Sequence, residues 1–245
     1  MFQGFSDETF EFFMAVAFNN NTEFFHDNRD WYLRAVREPC LALAEALAGT
    51  IEAIDGSLER RPNRVVSRIN RDIRFSRDKS PYRDYMWLSF HHTGEDRHTQ
   101  PGFYWEISAR GAACGMGIYE GNRPLLNGLR RSLLAEPDAF LKCWTPVRQD
   151  FRLVAQCFKR MKPPEALHPA LVPWYPLRSF YLEKDIGDFN LIKSPALAEE
   201  IAEGFQRLTP LYRFFKRLQP AGDADTTKTD RPSTAAAHPS EDLPS

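Results

Sequence analysis

The chain has 245 residues, 42% of them hydrophobic and 13% aromatic, and a formal net charge of −1. So much apolar side chain excludes a wholly disordered protein and makes one globular domain the default. No apolar run approaches membrane-spanning length, and the opening "MFQGFSDETF" has two acids and no basic leader, so neither a membrane segment nor a secretory signal is expected.

The first third reads helical. Ser6 is placed to cap a helix whose Phe10, Phe13, Met14 and Ala17 follow the three-four spacing of one buried face. "NNNT" at 19–22 breaks it, with Asn20 and Asn21 as caps for a second helix or, alternatively, with an amide there lining the cleft. That helix carries Phe24, Phe25, Trp31, Tyr32 and Val36 towards Pro39, where it is expected to end or kink. "CLALAEALAGTIEAI" continues as a third helix, rich in Ala and Leu.

From Asn63 the period changes to two, which predicts a strand through Ser76 with Arg68, Asn70, Asp72, Arg74 and Ser76 on one face. "DYMWLSFHH", "GFYWEISAR" and "AACGMGIYE" read as further strands, and their short separations predict an antiparallel meander. "RPLLNGLRRSLL" returns to helix with Pro124 in its first turn. A proline-rich passage leads to a strand at "RSFYLEKDI". A last helix opens at Ser194 and Pro195, with Leu197, Ile201, Phe205, Leu208, Tyr212 and Phe215 on one apolar face and a kink expected at Pro210. The expected fold class is α+β: a central antiparallel sheet packed by helices from both ends of the chain, in one domain over residues 1–218.

Residues 219–245 hold one large aliphatic, Leu243, and no aromatic, so a disordered tail is expected there. The tail carries five acids and two bases, a net of −3, so residues 1–218 are left at +2. Cys40, Cys114, Cys143 and Cys157 are widely spaced and read as reduced thiols, which makes the cytoplasm the expected compartment.

The densest chemistry lies in "RINRDIRFSRDKSPYR", residues 68–83. Between Arg60 and Arg83 stand eight arginines and Lys79 against only Asp72 and Asp78. Two carboxylates do not neutralise nine cations, so part of this surface must face solvent or an anion. Arginine forks and a lysine beside the turn amides that Ser76 and Asp78 organise suit a phosphate or carboxylate. The candidate ligand-binding residues are Arg68, Arg71, Asp72, Arg74, Ser76, Asp78, Lys79 and Tyr82, with Asp72 or Asp78 as a base and Tyr82 as a proton donor if the site is catalytic. Against this stands a bland alternative, an Arg/Asp salt-bridge lattice that only locks a sheet edge.

This segment resembles the signature of the domain of unknown function 2461 family, R-x-x-R-D-x-R-F-S-x-D-K-x-P-Y-K/R. Arg68, Arg71, Asp72, Arg74, Phe75, Ser76, Asp78, Lys79, Pro81, Tyr82 and Arg83 match it. "FNNNTEFFHDNRDWY", "GFYWEIS", "GMGIYEGNRPLLNGLRRSL" and "FNLIKSPALAEEIAEGFQRLTPLYRFF" resemble other parts of the family, so the resemblance covers nearly all of residues 1–218. Phe24 departs from it, standing where the family usually has tryptophan, as does the "NRP" junction at 122–124. The resemblance implies a shared fold and a shared site, and no established activity.

Other chemistries find less support. His91 and His92 are adjacent on a strand and point to opposite faces, so no metal ligand set forms. "GAACGMG" lacks the spacing and the lysine of a nucleotide loop, and Ser76 has no histidine partner at a recognisable spacing. No cofactor is expected. An anionic small molecule is the first partner expected, and nucleic acid comes behind it because the folded body carries so little net charge. The sequence says nothing of oligomeric state.

Overall fold

The structure is a computed structural model and describes residues 1–74, 78–93, 100–118 and 121–218. The expected tail at 219–245 and the candidate Ser76 lie outside the described residues.

Helix α1 (Asp7–Phe18) buries Phe10, Phe12, Phe13 and Val16. Met14 is 54% exposed and Ala17 is exposed, so the buried stripe is turned from the predicted one and takes in Phe12 instead. Asn21 caps α2 (Thr22–Asp27) by accepting from the Phe24 amide at 2.9 Å. After α3 (Arg29–Tyr32) a π-helical turn, Leu33–Arg37, runs directly into α4 (Glu38–Ile54). Pro39 therefore neither ends the helical run nor breaks it. The Ala35 carbonyl, which the amide of residue 39 would satisfy in a regular α-helix, accepts from the buried Thr9 hydroxyl at 2.6 Å.

The predicted strand from Asn63 is not formed over its described residues, 63–74. Pro62–Val65 is a short helix, α5, with proline at its start. The chain then runs extended beside residues 81–88, joined by hydrogen bonds from Ser67 N to Trp87 O (2.9 Å), from Arg83 N to Ile69 O (2.8 Å) and from Arg71 N to Pro81 O (2.9 Å). No regular ladder follows, because the register slips. Between the bridges Val66–Leu88 and Asn70–Tyr82, four steps on one side face six on the other.

The sheet is antiparallel and five-stranded, in the order β1 (Tyr85–Phe90), β2 (Gly102–Ser108), β3 (Gly111–Ile118), β5 (Leu177–Ile186), β4 (Arg152–Cys157). α6 (Arg123–Ala135) and α7 (Pro137–Trp144) connect β3 to β4. A 3₁₀ turn at Pro169–Trp174 precedes β5, and α8 (Phe189–Ile192) leads to α9 (Ala196–Arg217). The α+β expectation holds, with helices from both ends of the chain on the sheet.

Residues directly opposed on antiparallel strands point to the same side. One side of the sheet is apolar: Leu88, Trp105 and Cys114 form one row, and Phe90, Phe103, Met116 and Leu182 another. α9 covers this side with the six apolar residues its periodicity predicts, all of them buried. Phe205 sits 5.0 Å from the ring of Phe103, and Gly204 admits Cys114 Sγ to 3.6 Å of where a Cβ would stand. α9 also reaches α4. Tyr212 Oη donates to Asp55 Oδ2 at 2.7 Å, beside the Lys216 ammonium at 3.4 Å. The other side of the sheet carries Tyr85, Trp87, Tyr104, Glu106, Tyr181, Glu183 and Asp185. None of the helices among the described residues is long and apolar enough to cross a membrane.

Candidate functional site

The charged segment lies along the outer edge of the sheet, next to β1. Its alternation survives without a strand: Arg68, Asn70, Asp72 and Arg74 are exposed, Ile69 is buried, and Arg71 and Ile73 are half-buried. An extended chain turns successive side chains to opposite sides whether or not its amides find a continuous partner.

Each carboxylate of the segment is engaged from within it. Asp72 holds Arg74 through two side-chain bonds, from Nε to Oδ1 at 2.9 Å and from Nη2 to Oδ2 at 2.6 Å, and also accepts from the Arg74 amide at 3.2 Å. This fork draws the Asp72 carboxyl down to about 2. Asp78 accepts from the Ser80 amide at 2.9 Å and pairs with Arg71. The Ser80 hydrogen bonds lead, with Arg71 assisting, in holding its carboxyl below the usual range. Upstream, Arg60 pairs with Glu52 at 2.8 Å and Arg61 with Glu59 at 2.5 Å.

Four cations between Arg60 and Arg83 form no ion pair with a carboxylate among the described residues, the exposed Arg64 and three in the segment itself. Lys79 donates to the Ile73 carbonyl at 2.8 Å. Arg83 donates to the carbonyls of Arg68 (3.0 Å) and Asn70, and lies over the Trp87 ring at 4.7 Å. Arg68 is exposed and adjoins Arg83 through that carbonyl. The structure thus joins Arg71 to Asp78 and Asp72 to Arg74, and sets Arg83 between the Arg68 carbonyl and the field of Asp72.

Tyr82 belongs to the inner side of the segment. It is 7% exposed and its ring stacks on Phe25 at 4.1 Å and 17°. Asn20, expected to cap α2, instead reads both backbone groups of Tyr82: its Nδ2 donates to the carbonyl at 2.8 Å and its Oδ1 accepts from the amide at 3.0 Å. One amide so pins the segment to the N-terminal helices. Sequence reasoning missed this partner, and the only signal was a second asparagine beside the one that caps.

The remaining polar candidates serve the ends of elements. His92 forms a bridge with Leu58 and stands 3.1 Å from Ser57 Oγ, 3.0 Å from Tyr212 Oη and 3.2 Å from Lys216 Nζ. The four cysteines are free, Cys40 and Cys114 buried, Cys143 half-buried and Cys157 exposed. Burial pushes the Cys40 and Cys114 thiols up to about 12.

The profile of the family described as "Conserved hypothetical protein (DUF2461)" matches residues 8–214, nearly the whole described body and all of the charged edge. The chain belongs to the DUF2461 family. No curated protein matches it. Membership accounts for the common fold and leaves the chemistry of the edge to be argued from its geometry.

Proposed function

We propose that the charged edge binds a small phosphate- or carboxylate-bearing molecule at Arg68 and Arg83, with Lys79 as a further contact. One observation carries this reading. After Asp72 and Asp78 have taken Arg74 and Arg71, the adjoining Arg68 and Arg83 form no ion pair with a carboxylate among the described residues, and Asp72, already forked onto Arg74, feels Arg83 only at longer range. Carbonyl oxygens and the Trp87 face orient Arg83 without neutralising it. Arg71 and Arg74, first expected to grip the ligand, then act as the frame that shapes the edge. Four free thiols suit a reducing, cytoplasmic setting for this binding.

The lattice reading has its own support in the Asp72–Arg74 fork and the Arg71–Asp78 pair. Arg68→Ala separates the two. Arg68 is exposed and its side chain makes no bond among the described residues, so the variant should melt with the wild type. In a thermal-shift screen of inorganic phosphate, sugar phosphates and dicarboxylates, the wild type is expected to gain stability with at least one compound, less so at high salt. Arg68→Ala is expected to lose most of that gain. A wild type stabilised by none of these compounds would leave the lattice as the role of the edge.

A further inference from the structure

The side of the sheet opposite α9 carries a second constellation, independent of the anion reading. The strand register places Tyr104, Gly115, Glu183 and Arg152 in one row across β2, β3, β5 and β4, and Glu106, Ala113 and Asp185 in the next. A cavity of about 350 Å³ opens over them, walled by Glu106, Arg110, Arg152, Tyr181, Glu183 and Asp185 with Ala113 on its floor. That volume suits a small ligand.

The walls are held in place from within. Glu183, only 7% exposed, accepts from Tyr104 Oη at 3.2 Å and pairs with Arg152, whose Nε also lies 3.6 Å from Asp185 Oδ2. Arg152 stays 56% exposed, so its remaining donors face the opening. The lining mixes three acids with two arginines. Burial raises the Glu183 carboxyl against the pull of Arg152.

These charges select a class of ligand. An anion would meet three carboxyl groups. A lone cation would find Glu183 and Asp185 already engaged by Arg152. A neutral molecule with several hydroxyls donates to carboxylates and accepts from guanidinium groups at once, and the Tyr181 ring offers its C–H face an apolar wall. We propose that this cavity binds an uncharged polyhydroxylated small molecule of the monosaccharide or cyclic polyol class, through Glu106, Arg110, Arg152 and Asp185.

The test is saturation-transfer NMR on the full chain with glucose, galactose, mannose, ribose and inositol, and with inorganic phosphate added as a charged competitor. At least one of the five should bind saturably, with little dependence on salt and no displacement by phosphate. Ala113→Leu fills the floor without touching a charge, and Arg110→Ala removes an exposed donor at the rim. Each should weaken binding about tenfold or more, the scale of a lost charged hydrogen bond, while Arg68→Ala should leave it unchanged. No saturable binding by any of the five, or full binding by a folded Ala113→Leu or by Arg110→Ala, overturns the proposal. Should Ala113→Leu not fold, Arg110→Ala decides alone. Phosphate binding that is lost in Arg68→Ala supports the charged edge and has no bearing on this cavity.

Discussion

At the scale of single residues, the charged segment shows how similar arginines take different tasks from their neighbours. Arg74 is 77% exposed and forks onto Asp72, whereas Arg71 is only 18% exposed and holds Asp78, seven residues on. Arg74→Lys keeps the charge and loses the fork, so it should change the melting temperature little, as exposed ion pairs do. Arg71→Lys should lower it clearly, and thermal melts of the two variants check the contrast. Asn20 offers a sharper case, since it uses both ends of one amide on the backbone of Tyr82. Asn20→Asp turns the donor end into a second acceptor facing the Tyr82 carbonyl. It should cost about 1–3 kcal/mol at neutral pH, read by urea denaturation.

Between elements, the junction of α4 and α9 depends on one carboxylate. Burial alone would raise the Asp55 carboxyl, but hydrogen bonds from Ser57 and Tyr212 and the Lys216 ammonium outweigh it, and the net direction is down. The sign follows from linkage. A carboxyl lowered in the folded state contributes stability that is fully present above its unfolded value of about 4 and is lost as pH falls through the folded one. Asp55→Asn should therefore cost about 1–3 kcal/mol at pH 7. It should also flatten the acid limb of a stability–pH curve, and an unchanged limb would remove Asp55 from the account. Within elements, glycines divide by what surrounds them. A Cβ on Gly49, inside α4, meets nothing within 4 Å, so Gly49→Ala should stabilise by about 0.5–1 kcal/mol. A Cβ on Gly115 would stand 1.7 Å from the Leu182 carbonyl oxygen, so Gly115→Ala should force β3 from β5 and lower soluble yield.

Over the whole molecule, one sheet serves two surfaces. Its apolar side meets α9, while its other side and outer edge hold the charged and aromatic groups. Residues 219–245, outside the described residues, contain only Leu243 to bury. A chain ending at Leu218 is therefore expected to melt within about 2 °C of the full chain.

Much of this architecture was legible because it depends on local periodicity. The face of α9, the β2–β3 hairpin and the exposure of Arg68, Asn70, Asp72 and Arg74 follow from side-chain spacing, which the backbone geometry alone converts into direction. β4 escaped because it is an edge strand with little apolar alternation, its six residues half-buried or exposed. The π-turn escaped because Pro39 reads as a breaker unless a distant hydroxyl, Thr9, takes up the carbonyl it strands.

The sequence by itself determined the α+β class, the apolar faces and the excess of positive charge between Arg60 and Arg83. Tertiary structure alone decided which arginine meets which aspartate, that a slip of register keeps residues 66–74 from becoming a strand, and that Glu106, Arg152, Glu183 and Asp185 meet over one cavity. Periodicity is a property of neighbours along the chain, whereas partner choice, register and convergence depend on where segments far apart in sequence come to rest together.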